Sequence, residues 1–123
     1  MNFVRTINWT IFNWDELSHI DYENVCHGSK NREHIYPYFH LKSGIKLDAF
    51  ESPDSFTLEE DGQEYFFSSK CCTVCSEILL NMIIISQVDG QMLFDVEAND
   101  DKIWDKFIEW AKTQTDLEKL TRY

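Results

Sequence analysis

Apolar and polar positions alternate from the start of the chain. Phe3, Ile7, Trp9 and Ile11 fall on one side of Phe3 to Phe12, with Thr6, Asn8 and Thr10 on the other, which predicts a strand. Behind a capping Asn13 or Asp15, Leu17, Ile20 and Val25 suit a short helix or an irregular loop. Cys26 to His34 is polar, carries Gly28, Ser29 and Asn31, and reads as an exposed connection. Ile35 to Leu41 is rich in β-formers, and Pro37 marks it as an edge strand or a strand start. Lys42-Ser43-Gly44 turns the chain into a partner strand, Ile45 to Phe50, which Pro53 ends. Asp61-Gly62 then joins Phe56 to Glu60 with Glu64 to Ser68 in a hairpin that carries Phe56, Leu58, Tyr65 and Phe67 inward.

The most apolar stretch, Ile78 to Glu97, holds an Ile-rich run, Asp89-Gly90 and a second apolar run. Asp-Gly between apolar runs is a strong hairpin signal, so two paired strands are expected here, at the centre of the sheet. The preceding Ser68 to Glu77 reads as a loop or a helical turn. Asn99, Asp100 and Asp101 place carboxylates where a helix start favours them, and Ile103, Trp104, Phe107, Ile108 and Ala111 recur at helical spacing. A helix over Asp101 to Lys112 follows, with a last turn or short helix from Thr115 to Leu120. The expected fold is α+β: a mostly antiparallel sheet of about six strands with a C-terminal helix packed on one face.

At 123 residues the chain suffices for one core, and residues 1–123 are expected to form a single domain. The N-terminus lacks the basic and apolar regions of an export signal, and no run of about 18 apolar residues suggests a membrane span. These features predict a cytoplasmic protein, whose Cys26, Cys71, Cys72 and Cys75 would be thiols or metal ligands and not disulfides.

Charge changes the picture most. The net charge is −11, and residues 47–101 alone carry thirteen acids against the single base Lys70, or −12, while the rest of the chain sums to +1. Such a field repels phosphate and favours a basic partner, which argues against direct nucleic-acid binding. Aromatic residues interleave with these acids. The candidate partner-binding residues are therefore Asp48, Glu51, Asp54, Glu59, Glu60, Asp61 and Glu64, with Phe50 and Tyr65 as anchors inside a charged rim. The bland reading of the same stretch is a solvated surface that keeps the protein dissolved.

Two other chemistries are weaker. Cys72 and Cys75 have C-x2-C spacing, and with Cys71 and the Cys26-His27 pair they suggest zinc, in an interaction module or a small metal-dependent enzyme. Adjacent Cys-His side chains converge poorly on one ion, and three cysteines beside an apolar run are commonly just buried. His19, His27, His34 and His40 supply candidate acid–base groups, but no nucleophile elbow, phosphate loop, metalloprotease or dinucleotide motif accompanies them, so no enzyme and no cofactor is expected.

No motif identifies a family. The general description of a short, acidic, aromatic-rich chain resembles that of bacterial immunity proteins, antitoxins that neutralise nuclease toxins, and of phage inhibitors that mimic nucleic acid. That analogy of class implies an inhibitor that covers the cleft of a basic nuclease or other nucleic-acid enzyme with carboxylates.

Overall fold

The computed structural model describes residues 2–27 and 32–114, with the side chains of 24–27 and 32–34 left aside. The protein is α+β: eight strands among the described residues form three small sheets, accompanied by a long helix and a C-terminal helix. The first sheet, in the order β2-β1-β8, joins β1 (Phe3–Arg5) to antiparallel β2 (Ile11–Asn13) and parallel β8 (Leu93–Asp95). The second, β3-β4-β5, is antiparallel and contains β3 (Leu17–His27), β4 (Arg32–Leu41) and β5 (Lys46–Asp48). A hairpin of β6 (Ser55–Leu58) and β7 (Gln63–Phe66) is the third. Helix α1 spans Ser69–Val88 and α2 spans Asp100–Lys112.

The expected hairpin at Ile78 to Glu97 is replaced by a helix, and the capping residues show why. The Ser68 side chain accepts from the Cys71 N–H at the start of α1. At its end Gly90 takes a φ of 84°, its N–H donates to the Gln87 carbonyl, and the Gln91 N–H reaches back to Ser86. This is the glycine-ended helix stop that satisfies orphan carbonyls, so Asp89-Gly90 closes a helix and does not turn a hairpin. Cys71, Cys75, Leu79 and Ile83, four residues apart, are all buried. The second apolar run does hold a strand, β8, which pairs with β1.

The N-terminal half brings two more corrections. Phe3 to Phe12 is two strands, because the chain turns at Thr6–Thr10: Thr6 N–H donates to the Thr10 carbonyl, and the buried Thr6 hydroxyl accepts from the Asn8 and Thr10 N–H groups. The Asp15 region forms only a 3-10 turn, Trp14–Glu16, capped by Asn13, and gives way to the long strand β3. Its alternation is the reason: Ile20 and Tyr22 pack against the core while His19, Asp21 and Glu23 face out. Pro37 lies in the central strand β4, not at an edge. Its carbonyl accepts from Ala49 on the side of β5, and a residue's N and O point the same way across a strand, so the missing N–H falls where β5 ends.

The hairpins at Lys42–Gly44 and Asp61-Gly62 and the helix α2 form where the sequence places them. Thr115 to Leu120 lies outside the described residues. One buried cluster joins the three sheets to both helices, with Val4, Phe39, Leu79, Ile83, Ile103 and Phe107 fully enclosed. By length and composition α1 suffices to cross a membrane, a property that core helices share. Its buried row packs against α2, β3 and β4.

Candidate functional site

The acids of the central stretch take a defined place. Glu51 and Asp54 are exposed on the segment between β5 and β6, and Glu59, Glu60 and Asp61 are exposed at the tip of the β6–β7 hairpin. Asp48 and Glu64 are half-buried on β5 and β7, and Asp48 accepts a hydrogen bond from the Asn8 side chain. Asp61 organises the hairpin tip, accepting from the Gln63 N–H and the Tyr65 hydroxyl.

Residues far apart in sequence extend this surface. Burial first, and then the charges of Asp101, Glu51 and Glu97, raise the Asp100 carboxyl above its ordinary value, so four acids from three segments share one neighbourhood. Lys112 stands 2.8 Å from Glu60 and feels Glu59 and Glu109 as well; its hydrogen bond to Glu60 holds that carboxyl below its usual value. Asp101, Asp105 and Glu109 are exposed at intervals of four on α2. Sequence reasoning passed over Asp105 and Glu109 because the count was taken along the chain. Their helical spacing was the available signal.

The two aromatic anchors do not belong to this surface. Phe50 is 2% exposed and meets Trp104, while Tyr65 is 3% exposed and stacks on Phe56. Tyr65 takes the inward position of β7 between half-buried Glu64 and Phe66, while Phe50 follows the buried Ala49 just past the end of β5. Phe50 and Tyr65 therefore support the acidic surface from beneath.

The cysteines are core residues. Cys71, Cys72 and Cys75 are fully buried free thiols on the inner side of α1. Burial pushes the Cys72 thiol up to about 12 and raises that of Cys75 further, which disfavours the thiolate that zinc requires. The side chains of Cys26 and His27, the other half of that candidate site, lie outside the described residues, as does that of His34.

Two histidines meet that the sequence left apart. His19 on β3 is paired in register with His40 on β4, their rings parallel within 3° and 4.5 Å between centroids. With β3 read as a helix or loop, no sequence argument brings these two residues together. No family model, curated protein or solved structure matches the chain.

Proposed function

We propose that the protein is a cytoplasmic binding protein that neutralises a basic partner, of the kind presented by a nuclease toxin or another nucleic-acid enzyme, by covering its cationic cleft with carboxylates. The observation that carries this reading is the gathering of acids in space. Glu51 at the entry to the β6–β7 hairpin shares a neighbourhood with Glu97, Asp100 and Asp101, and the hairpin tip meets α2 through Glu59, Glu60 and Glu109 around Lys112. A predominantly acidic surface, with Lys112 matched by Glu60, steers a basic partner, speeding encounter and penalising nucleic acid itself. Since Phe50 and Tyr65 are buried, the contact rests on charge more than on aromatic anchors, and it should weaken steeply with salt.

Capture from extracts of the native cell tests the reading. The immobilised protein is expected to retain a basic protein at low ionic strength and to release it as salt rises. The variant Glu51→Lys/Glu59→Lys/Glu109→Lys should lose the capture, whereas Glu16→Lys, exposed on the 3-10 turn, should keep it. Retention of nucleic acid, of no protein, or of the same protein by the triple variant contradicts the proposal.

A further inference from the structure

The outer face of the β3-β4-β5 sheet carries a second arrangement, on the side of Tyr38 away from Asp48. His19 and Asp21 are two residues apart on β3 and so project to the same side, and His40 is the cross-strand partner of His19. One donor atom from each of the three lies within 4.8 Å of the others. Donors bound to a tetrahedral zinc ion at the usual bond lengths stand about 3.4 Å apart, so the stacked His19 and His40 rings have to turn out of parallel for their nitrogens to converge on one ion. All three side chains are reachable from solvent: His19 and Asp21 are exposed and His40 is half-buried.

The surroundings suit a cation. Ser18 Oγ lies 3.0 Å from His19 Nδ1, an outer hydrogen bond of the kind that orients a ligating imidazole. Lys46 stands opposite His40 on β5, but its ammonium is drawn to Glu23 at 2.6 Å and lies 4.4 Å from the centre of the Tyr38 ring, so its charge is already matched. Two imidazoles and a carboxylate form a nitrogen-rich donor set typical of zinc and its neighbours in the first transition row, and unlike the all-oxygen sets of calcium or magnesium.

We propose that His19, Asp21 and His40 bind one divalent transition-metal ion of the zinc type, which bridges β3 and β4 and keeps at least one coordination position open. Three protein donors are one short of a closed tetrahedral site, so the remaining position is left to water or to a donor from another molecule. The three ligands include none of the cysteines, and the site needs no basic partner to hold its ion.

Calorimetric titration of the purified full chain with zinc tests it. The expected result is one saturable site per chain and a higher melting temperature with zinc present. Losing an outer-shell partner already weakens metal binding about 10- to 100-fold, so His19→Ala or His40→Ala should weaken it about 100-fold or more. His19→Ala/His40→Ala should abolish it. Asp21→Asn keeps the size and polarity of the side chain and should also weaken binding, which separates lost ligation from lost folding. Absence of saturable zinc binding, or binding that persists in the double histidine variant, overturns the proposal.

Discussion

Phe107 is the residue on which the hydrophobic packing converges. It is fully buried, with the rings of Phe56, Phe67, Trp104 and Trp110 all between 5.0 and 5.7 Å of its own. Phe107→Ala should cost about 3–5 kcal/mol, the sum of lost transfer energy and the cavity left behind. Trp110 is half-buried beneath Lys70, so Trp110→Ala should cost clearly less. Urea unfolding of both variants checks the difference, and a harmless Phe107→Ala would contradict the packing. At Cys72 the folded state holds its proton more tightly than the unfolded chain, with a thiol raised to about 12. The stability this contributes is present below the ordinary thiol range and is lost as pH rises toward 12. Cys72 should therefore resist alkylation at pH 8 in the native protein and react on denaturation. Rapid native labelling at that position would contradict its burial.

At the scale of the element, α1 depends on its ends. Ser68→Ala removes the side-chain cap and should cost about 1 kcal/mol, readable by thermal unfolding. Gly90→Ala forces a side chain into the left-handed conformation and should cost about 1–2 kcal/mol, although a Cβ at that position meets nothing within 4 Å. If Asp89-Gly90 were a hairpin turn, Ser68→Ala would leave stability unchanged. This helix is also where sequence reasoning fell short. Ile84, Ile85 and Val88 are apolar but exposed, Val88 by 82%, so the buried row Cys71, Cys75, Leu79 and Ile83 is hidden within a run that looks uniformly apolar. Asp-Gly serves a hairpin and a helix stop equally well, and only the Ser68 cap points to the second. Elements with one clean face were legible: α2 through Ile103, Phe107 and Ala111, and the β6–β7 hairpin through Phe56, Leu58, Tyr65 and Phe67. The exposure of Glu51, Asp54, Glu59, Glu60 and Asp61 was legible because charged residues in a connection or a turn tip stay in water. Tyr65 was misplaced because an aromatic beside an acid in a strand lies on the opposite side from it, and Phe50 because the chain past β5 carries both Ala49 and Phe50 into the core.

For the whole molecule, the first sheet closes through a parallel pair, β1 with β8, that joins residues about ninety positions apart along the chain. Arg5 clamps it by a hydrogen bond to Asp95, and this bond is the main cause holding the Asp95 carboxyl below its ordinary value. A depressed folded value means that the clamp contributes above the ordinary carboxylate range and is lost as pH falls through the folded value. The protection of the β1 and β8 amides, taken relative to intrinsic exchange, should accordingly fall, at pH below the ordinary carboxylate range, before that of β3 and β4 does. Arg5→Gln should show the lower protection already at neutral pH, and equal protection in both proteins would contradict the clamp. The acidic surface is the other property of the whole, since its members come from the β5–β6 segment, the β6–β7 tip and α2. Its most direct test is the association rate with the captured basic partner as a function of ionic strength. A charge-steered encounter predicts a rate that falls steeply as salt shortens the screening length to about 10 Å near 0.1 M, and a rate for Glu51→Lys/Glu59→Lys/Glu109→Lys at least about tenfold lower at low salt. A rate independent of salt and unchanged in that variant would contradict the account.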